Sequence, residues 1–171
     1  RFDLNGYNLT MDVDYSAIVI GNTSVSGKAS LTVLDSKGGG KVNATNNYLF
    51  FVCNESTLTL ESGRFEANYS AVAGNANGRY STPTFTVEKG VELVSHGDVA
   101  VFLPAEGTKA TITGATITGK LGGVSIAAGD ITIQNTKISV VGSGTSLDDW
   151  TQGPNSDGSA IAIHKLSDSY K

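Results

Sequence analysis

The sequence predicts an all-β fold in which parallel strands wind into a solenoid with three short strands per turn. Three observations predict it: short segments that alternate apolar and polar residues, recurrence of these segments at a regular interval, and turn residues at matching places in each repeat. Composition agrees, because the 171 residues include 21 Gly, 18 Ser and 18 Thr but only 6 Glu and 9 Lys, so good helix formers are scarce.

The alternating segments fall into three aligned series. The first comprises segments 17–20, 49–52, 70–73, 99–102, 123–126 and 159–163. The second comprises segments 31–34, 58–61, 85–88, 111–113 and 131–133, whose starts are 27, 27, 26 and 20 residues apart. The third comprises segments 41–44, 64–67, 91–94, 115–118 and 137–140. Three strands in a repeat of roughly 20 to 30 residues are typical of a parallel β-solenoid.

Period-two alternation assigns the residues of each segment to an inner or an outer face. Leu58 and Leu60 share the inner face, and Thr59 lies on the outer one. The predicted outer column of the second series is Thr32, Thr59, Thr86, Thr113 and Thr132. Charged neighbours such as Glu61 and Glu88 interrupt this column, so it does not form the flat threonine array that ice binding would need.

Glycine or asparagine recurs after each member of the second series. These predicted corners are residues 37–40, 62–63, 89–90, 113–114 and 135–136. Both residue types tolerate the left-handed backbone conformation that a sharp corner requires. An antiparallel sandwich is the competing architecture, but hairpin signals of the Asn-Gly kind do not separate successive strands, and the repeat contains three strands.

Charge and hydropathy exclude several classes of function. The net charge is −4 and the 12 basic residues are scattered, so the basic patch of a nucleic-acid-binding protein is missing. The longest apolar runs span five residues, which excludes a membrane-spanning helix. Cys53 is the only cysteine, so no intramolecular disulfide forms, and its apolar surroundings predict a small core residue.

Three stretches carry a resemblance to a known superfamily: 2–10 (FDLNGYNLT), 29–42 (ASLTVLDSKGGGKV) and 110–119 (ATITGATITG). They resemble the right-handed parallel β-helices of the pectate-lyase-like superfamily, and within it the non-enzymatic repeats of large bacterial cell-surface and secreted proteins and of related phage proteins. The resemblance implies a right-handed parallel β-helix of about five to six turns. It leaves function open, because this solenoid carries lyases, hydrolases, adhesins and spacers.

Two interruptions of the repeat supply the predicted ligand-binding residues. The first interruption, 74–83, carries Arg79 and Tyr80, and the second, 142–158, carries Asp148, Asp149 and Trp150. Insertions in a solenoid emerge at corners and form binding surfaces, because stacked strands tolerate little variation. If both leave from the same side, Tyr80 and Trp150 line one groove, where an indole stacks on a sugar ring and the carboxylates accept hydrogen bonds.

The polar motifs give no prediction of catalysis or of a metal. His96-Gly97-Asp98 lacks the second glycine and the basic motif of polygalacturonase-type enzymes, so we expect a turn there. His164 alternates with Ile161 and Ile163 and is expected to point outward. Calcium binding by 155–158 together with Asp148 or Asp149 is an alternative, but no spacing is diagnostic and a tight turn is simpler.

Together these features predict a single β-helix domain over residues 1–171, cut from a longer extracellular bacterial protein because the chain begins at Arg1 without an initiator Met. The predicted function is adhesion or ligand display, with a glycan or a host-surface protein as partner, and no catalysis, cofactor or membrane insertion. The alternatives are a fragment of a polysaccharide lyase or glycoside hydrolase and a structural spacer. Exposed strand edges at both ends predict end-to-end or flanking-domain contacts.

Overall fold

The chain forms a parallel β-solenoid, seen here in a computed structural model that describes residues 1–22, 27–75, 82–144 and 158–164. Eighteen strands run through these ranges, and no described residue belongs to a helix. Each consecutive group of three strands makes one turn, and each strand pairs in parallel with its counterparts one turn away. The all-β class, the parallel pairing and three strands per turn are therefore confirmed.

Three six-stranded sheets, here called A, B and C, form the walls of the solenoid. Sheet A contains β1 Phe2–Asp3, β4 Ser30–Leu34, β7 Thr57–Leu60, β10 Thr84–Val87, β13 Lys109–Thr113 and β16 Asp130–Gln134. Sheet B contains β2 Leu9–Met11, β5 Lys41–Ala44, β8 Arg64–Ala67, β11 Glu92–Ser95, β14 Thr116–Gly119 and β17 Lys137–Val140. Sheet C contains β3 Ile18–Ile20, β6 Phe50–Val52, β9 Val72–Gly74, β12 Val99–Leu103, β15 Gly122–Ile126 and β18 Ile161–Ile163.

Each series of segments seen in the sequence forms one sheet. The second series lies in sheet A, the third in sheet B and the first in sheet C. Four turns, β4 to β15, are paired on both sides, and one terminal turn at each end has a described partner on one side only. The predicted five to six turns thus correspond to four enclosed turns plus these two terminal turns.

The core is a column of stacked apolar side chains inside the three walls. In sheet A the column runs from Leu31 through Leu58, Phe85 and Ala110 to Ile131, one residue for each turn. Across the interior, the rings of Phe50 in sheet C and Phe65 in sheet B meet edge to face at 5.4 Å between centroids. This continuous burial is the main stabilising contribution, because each fully buried large apolar side chain contributes about 1.5–3 kcal/mol.

The threonine column was predicted with one residue misplaced. Thr32, Thr59, Thr86 and Thr132 are aligned as expected, but the fourth member is Thr111. Thr113 pairs with Gln134 instead, because β13 begins at Lys109, two residues earlier than the apolar pattern suggested.

The corners between sheets A and B adopt the expected left-handed backbone. Positive φ angles occur at Gly38, Gly39, Gly63, Gly90 and Gly114 and, in the following turn, at Asn135. Asp35 ties three turns together at this corner: its carboxylate accepts hydrogen bonds from the backbone N–H groups of Gly6 at 2.7 Å and Gly40 at 2.6 Å, and its own N–H donates to Ser62 Oγ at 2.8 Å.

Cys53 is fully buried, as predicted, and burial raises the pKa of its thiol.

The corner between β14 and β15 leaves no room for a side chain at Gly119, the last residue of β14. A Cβ on Gly119 would overlap the carbonyl group of Gly122 and lie 3.2 Å from the backbone nitrogen of Ala100. Gly119→Ala is therefore expected to lower the free energy of unfolding by at least about 1–3 kcal/mol, as overpacking does. Urea denaturation followed by far-ultraviolet circular dichroism measures this loss.

Gly27→Ala is the matched control, because a Cβ there has no atom within 4 Å and Gly27 has no positive φ. Equal stabilities for the two variants would contradict the close approach at Gly119.

Candidate functional site

The predicted ligand-binding residues Arg79, Tyr80, Asp148, Asp149 and Trp150 lie outside the described residues, as do residues 155–157 of the calcium alternative. The described strands on either side show where each of the two interruptions is anchored. The first interruption leaves sheet C after β9 and enters sheet A at β10, whereas the second leaves sheet B after β17 and enters sheet C at β18. The two interruptions are thus anchored at different corners of the stack, and the shared groove of Tyr80 and Trp150 stays a prediction.

The described residues instead bring five ionisable side chains together on the outer face of sheet B. They are Lys41 of β5, Arg64 and Glu66 of β8, Glu92 of β11 and His96 just after β11. The register places Lys41, Arg64 and Glu92 side by side in one column, with Glu66 in the next outward column. We call this group the charge cluster.

Glu66 is the centre of the charge cluster. Only 7% of its side chain is exposed, against 40% for Lys41 and 45% for Arg64. Its carboxylate accepts a hydrogen bond from Arg64 Nε and lies 3.4 Å from both Lys41 Nζ and His96 Nε2. Arg64 reaches a second carboxylate through Nη1, which donates to Glu92 at 2.6 Å. One buried anion therefore holds three surrounding groups.

Electrostatics keeps Glu66 ionised. Burial alone would raise its pKa, but hydrogen bonds from Arg64 and His96 and the positive charges of Arg64 and Lys41 outweigh burial and hold the pKa below its usual value. The same hydrogen bond from Arg64 to Glu66, with the one to Glu92, raises the pKa of the Arg64 guanidinium. A carboxylate held ionised in this way is a hydrogen-bond acceptor and a poor general acid at neutral pH.

A cleft of about 330 Å³ adjoins the charge cluster at the corner between sheets A and B. It is lined by the corner glycines of three consecutive turns and by Asp35, Ser62, Lys41, Arg64 and Glu92. Two of these glycines, Gly38 and Gly90, face open space, since a Cβ on either would meet no atom within 4 Å. The cleft is as large as the smaller ligand pockets of proteins and presents both charge signs.

The two histidines occupy different environments. His96 lies in an exposed turn, as expected, and its backbone N–H donates to the carbonyl of Ala67 at 2.9 Å. His164 lies 2.7 Å from Ser125 Oγ, measured from Nε2. A serine and a histidine at this distance are the pair that nucleophilic catalysis uses, but Ser125 is fully buried and the described cleft lies at another corner.

Metal and membrane sites are not found in the described ranges. Those ranges hold no group of three or more His, Cys, Asp or Glu side chains placed to bind a metal ion. They also contain no helix that is long and apolar enough to cross a membrane. Comparison of the chain with protein-family models, curated proteins and solved structures found no match.

The sequence interpretation missed the charge cluster, although a signal was present. Lys41 and Arg64 are the first residues of their segments in the third series, and Glu92 is the second residue of its segment. Glu66 is two residues beyond Arg64. Aligning charges across the turns of the third series, as was done for the threonines of the second, would have placed them together.

Replacement of Glu66 tests its role as the ionised centre. Because the folded-state pKa is lowered, ionised Glu66 stabilises the fold above its unfolded-state pKa, and this contribution is lost as pH falls through the folded-state value. Glu66→Gln is expected to cost about 1–3 kcal/mol of unfolding free energy at pH 7, and the deficit should shrink below about pH 4. Urea denaturation at pH 7, 5, 4 and 3 measures the difference.

The control is Glu88→Gln, since Glu88 is an exposed glutamate outside the charge cluster. A deficit for Glu66→Gln that is the same at pH 7 and pH 3 would contradict the assigned role.

Proposed function

We propose that this chain is a non-catalytic ligand-display module of an extracellular bacterial protein and that its solenoid surface binds carbohydrate. The observation that carries this proposal is the cleft lined by the corner glycines and by Lys41, Arg64 and Glu92 of the charge cluster. Sugars present many hydroxyl groups, each of which is both donor and acceptor. Lys41 and Arg64 supply donors at one wall, and Glu92 supplies acceptors beside them.

The three-sheet architecture supports membership of the pectate-lyase-like superfamily, which we propose from the resemblance of the sequence together with the parallel sheets and three strands per turn. Carbohydrate is favoured over a host-surface protein as the partner of this cleft, because about 330 Å³ suits one or two sugar rings better than a protein epitope.

The ionisation of Glu66 favours binding over catalysis. An enzyme that cleaves glycosidic bonds by acid and base chemistry needs a carboxylic acid that is protonated at its working pH. The carboxylate at the centre of the charge cluster has the opposite bias, because its pKa is lowered. The charge cluster therefore acts as a set of fixed donors and acceptors in this proposal.

A screen for retention on immobilised glycans tests the proposal, followed by titration calorimetry with any glycan that is retained. Arg64→Ala and Glu92→Gln are expected to weaken binding at least tenfold, because each removes a polar group from the wall of the cleft. Thermal melts establish that both variants are folded.

Arg1→Ala is the matched control, since Arg1 is an exposed arginine paired with Glu61 at 3.2 Å and is not part of the cleft wall. Failure of the wild type to bind any glycan would refute carbohydrate binding and favour the spacer. Release of reducing ends or of unsaturated sugars from the same glycans would favour the enzyme fragment.

A further inference from the structure

Three tyrosines lie at the corner between sheets B and C. This corner follows the strands of sheet B, whereas the cleft lies at the corner that precedes them. Tyr15 lies between β2 and β3, Tyr48 between β5 and β6, and Tyr69 between β8 and β9. Each of the first three turns thus contributes one tyrosine to the same corner. The side chain of Tyr15 is 83% exposed, and Tyr48 and Tyr69 are half-buried. We call this group the tyrosine ladder.

The rings of Tyr48 and Tyr69 are held by contact with each other, and Tyr48 also contacts sheet C, whereas Tyr15 stands exposed at the same corner. The rings of Tyr48 and Tyr69 meet edge to face, with centroids 5.4 Å apart and planes at 88°. Phe51 lies 5.7 Å from Tyr48 at an angle of 48°. Tyr48 and Phe51 pack on a small buried cluster formed by Ala73, Val99 and Phe102, which is separate from the main core. Two of the three rings are therefore fixed by packing, and both remain partly exposed.

Polar groups border the ladder. Asn47 Nδ2 donates to the carbonyl of Asp14 at 2.9 Å, and Asn47 Oδ1 accepts from the backbone N–H of Tyr48 at the same distance. Thr45 Oγ1 donates to Asp12 Oδ1 at 3.1 Å. Asp12, Asp14 and Thr45 are exposed, so the loops that carry Tyr15 and Tyr48 also present carboxylate and hydroxyl groups at the surface.

We propose that the tyrosine ladder is a stacking subsite for the neutral pyranose rings of a polysaccharide. This inference rests on the proposed carbohydrate-binding function and extends it to a second corner. A pyranose ring has an apolar C–H face, which matches an exposed aromatic ring, and a rim of hydroxyl groups, which matches carboxylates and hydroxyls at the border. Both features are present together at this corner.

The charges of the corner select against acidic sugars. In the described loops 12–17, 45–49 and 68–71 the charged residues are Asp12 and Asp14, both acidic. A uronate or sulfate beside them would meet like charge without a basic residue from these loops to offset it. The ligand class is therefore a neutral polysaccharide.

Titration calorimetry and affinity electrophoresis with mixed-linkage β-glucan, xylan, galactomannan and the anionic polygalacturonate test the inference. Tyr15→Ala and Tyr69→Ala are expected to weaken binding of the retained neutral polymer about three- to tenfold, in line with the loss of one aromatic contact. Tyr15→Ala is expected to leave the fold intact, because Tyr15 is 83% exposed. Tyr7→Ala is the matched control, since Tyr7 is 72% exposed and belongs to the loop between sheets A and B.

The outcomes separate this inference from the broader proposal. If Arg64→Ala weakens binding of a neutral polymer but Tyr15→Ala and Tyr69→Ala do not, the tyrosine ladder is not a subsite, and the proposed carbohydrate-binding cleft stands. Binding of polygalacturonate in preference to every neutral polymer would overturn the neutral class. Absence of binding by the wild type to all four polymers would overturn both. Size-exclusion chromatography is run in parallel, and a ladder that affects self-association but not glycan binding would overturn the subsite in favour of a second copy.

Discussion

In-register stacking of parallel strands is the constraint on which the rest of this molecule depends. Within the paired strands, each side chain has the equivalent side chain of the next turn as its neighbour, about 4.8 Å away. Inside, the constraint is satisfied by apolar columns such as Leu31, Leu58 and Phe85. Outside, it is satisfied by threonine, whose branched side chain packs against its own kind without charge repulsion.

Charged residues conflict with this constraint, and the charge cluster resolves the conflict. Lys41 and Arg64 are direct neighbours in the register, so two positive charges are stacked. Glu66, one outward column away, accepts contacts from both, and Glu92 continues the Arg64 column with the opposite sign. The low exposure of Glu66 follows from its central position among larger side chains. The charge cluster therefore stabilises the stack and, by the same contacts, holds hydrogen-bond donors and acceptors in fixed positions at the surface.

The same periodicity explains what the sequence could predict. Most strand positions, the corner glycines and the burial of Cys53 follow from local alternation and from residue types that tolerate a left-handed backbone, whereas β1 and β2 were not among the predicted segments. The column position of Thr111 did not follow, because alternation fixes which face a residue lies on but leaves a two-residue slip open. The register of β13 with its two neighbouring strands decides that slip, and it is not contained in the local pattern.

The candidate sites were harder to predict, because they are made by residues that are distant in sequence and adjacent only after stacking. Tyr15, Tyr48 and Tyr69 are separated by 33 and 21 residues, unequal intervals that obscure their common corner. Loop length between strands varies from turn to turn, whereas the strands themselves keep their register. Corners are thus the places where composition can differ without disturbing the core: glycine at the corner of sheets A and B leaves a cleft, and tyrosine at the corner of sheets B and C builds a raised aromatic surface. Because the two corners border the same four-residue strands, a ligand that contacts both would have to lie across sheet B, over the charge cluster.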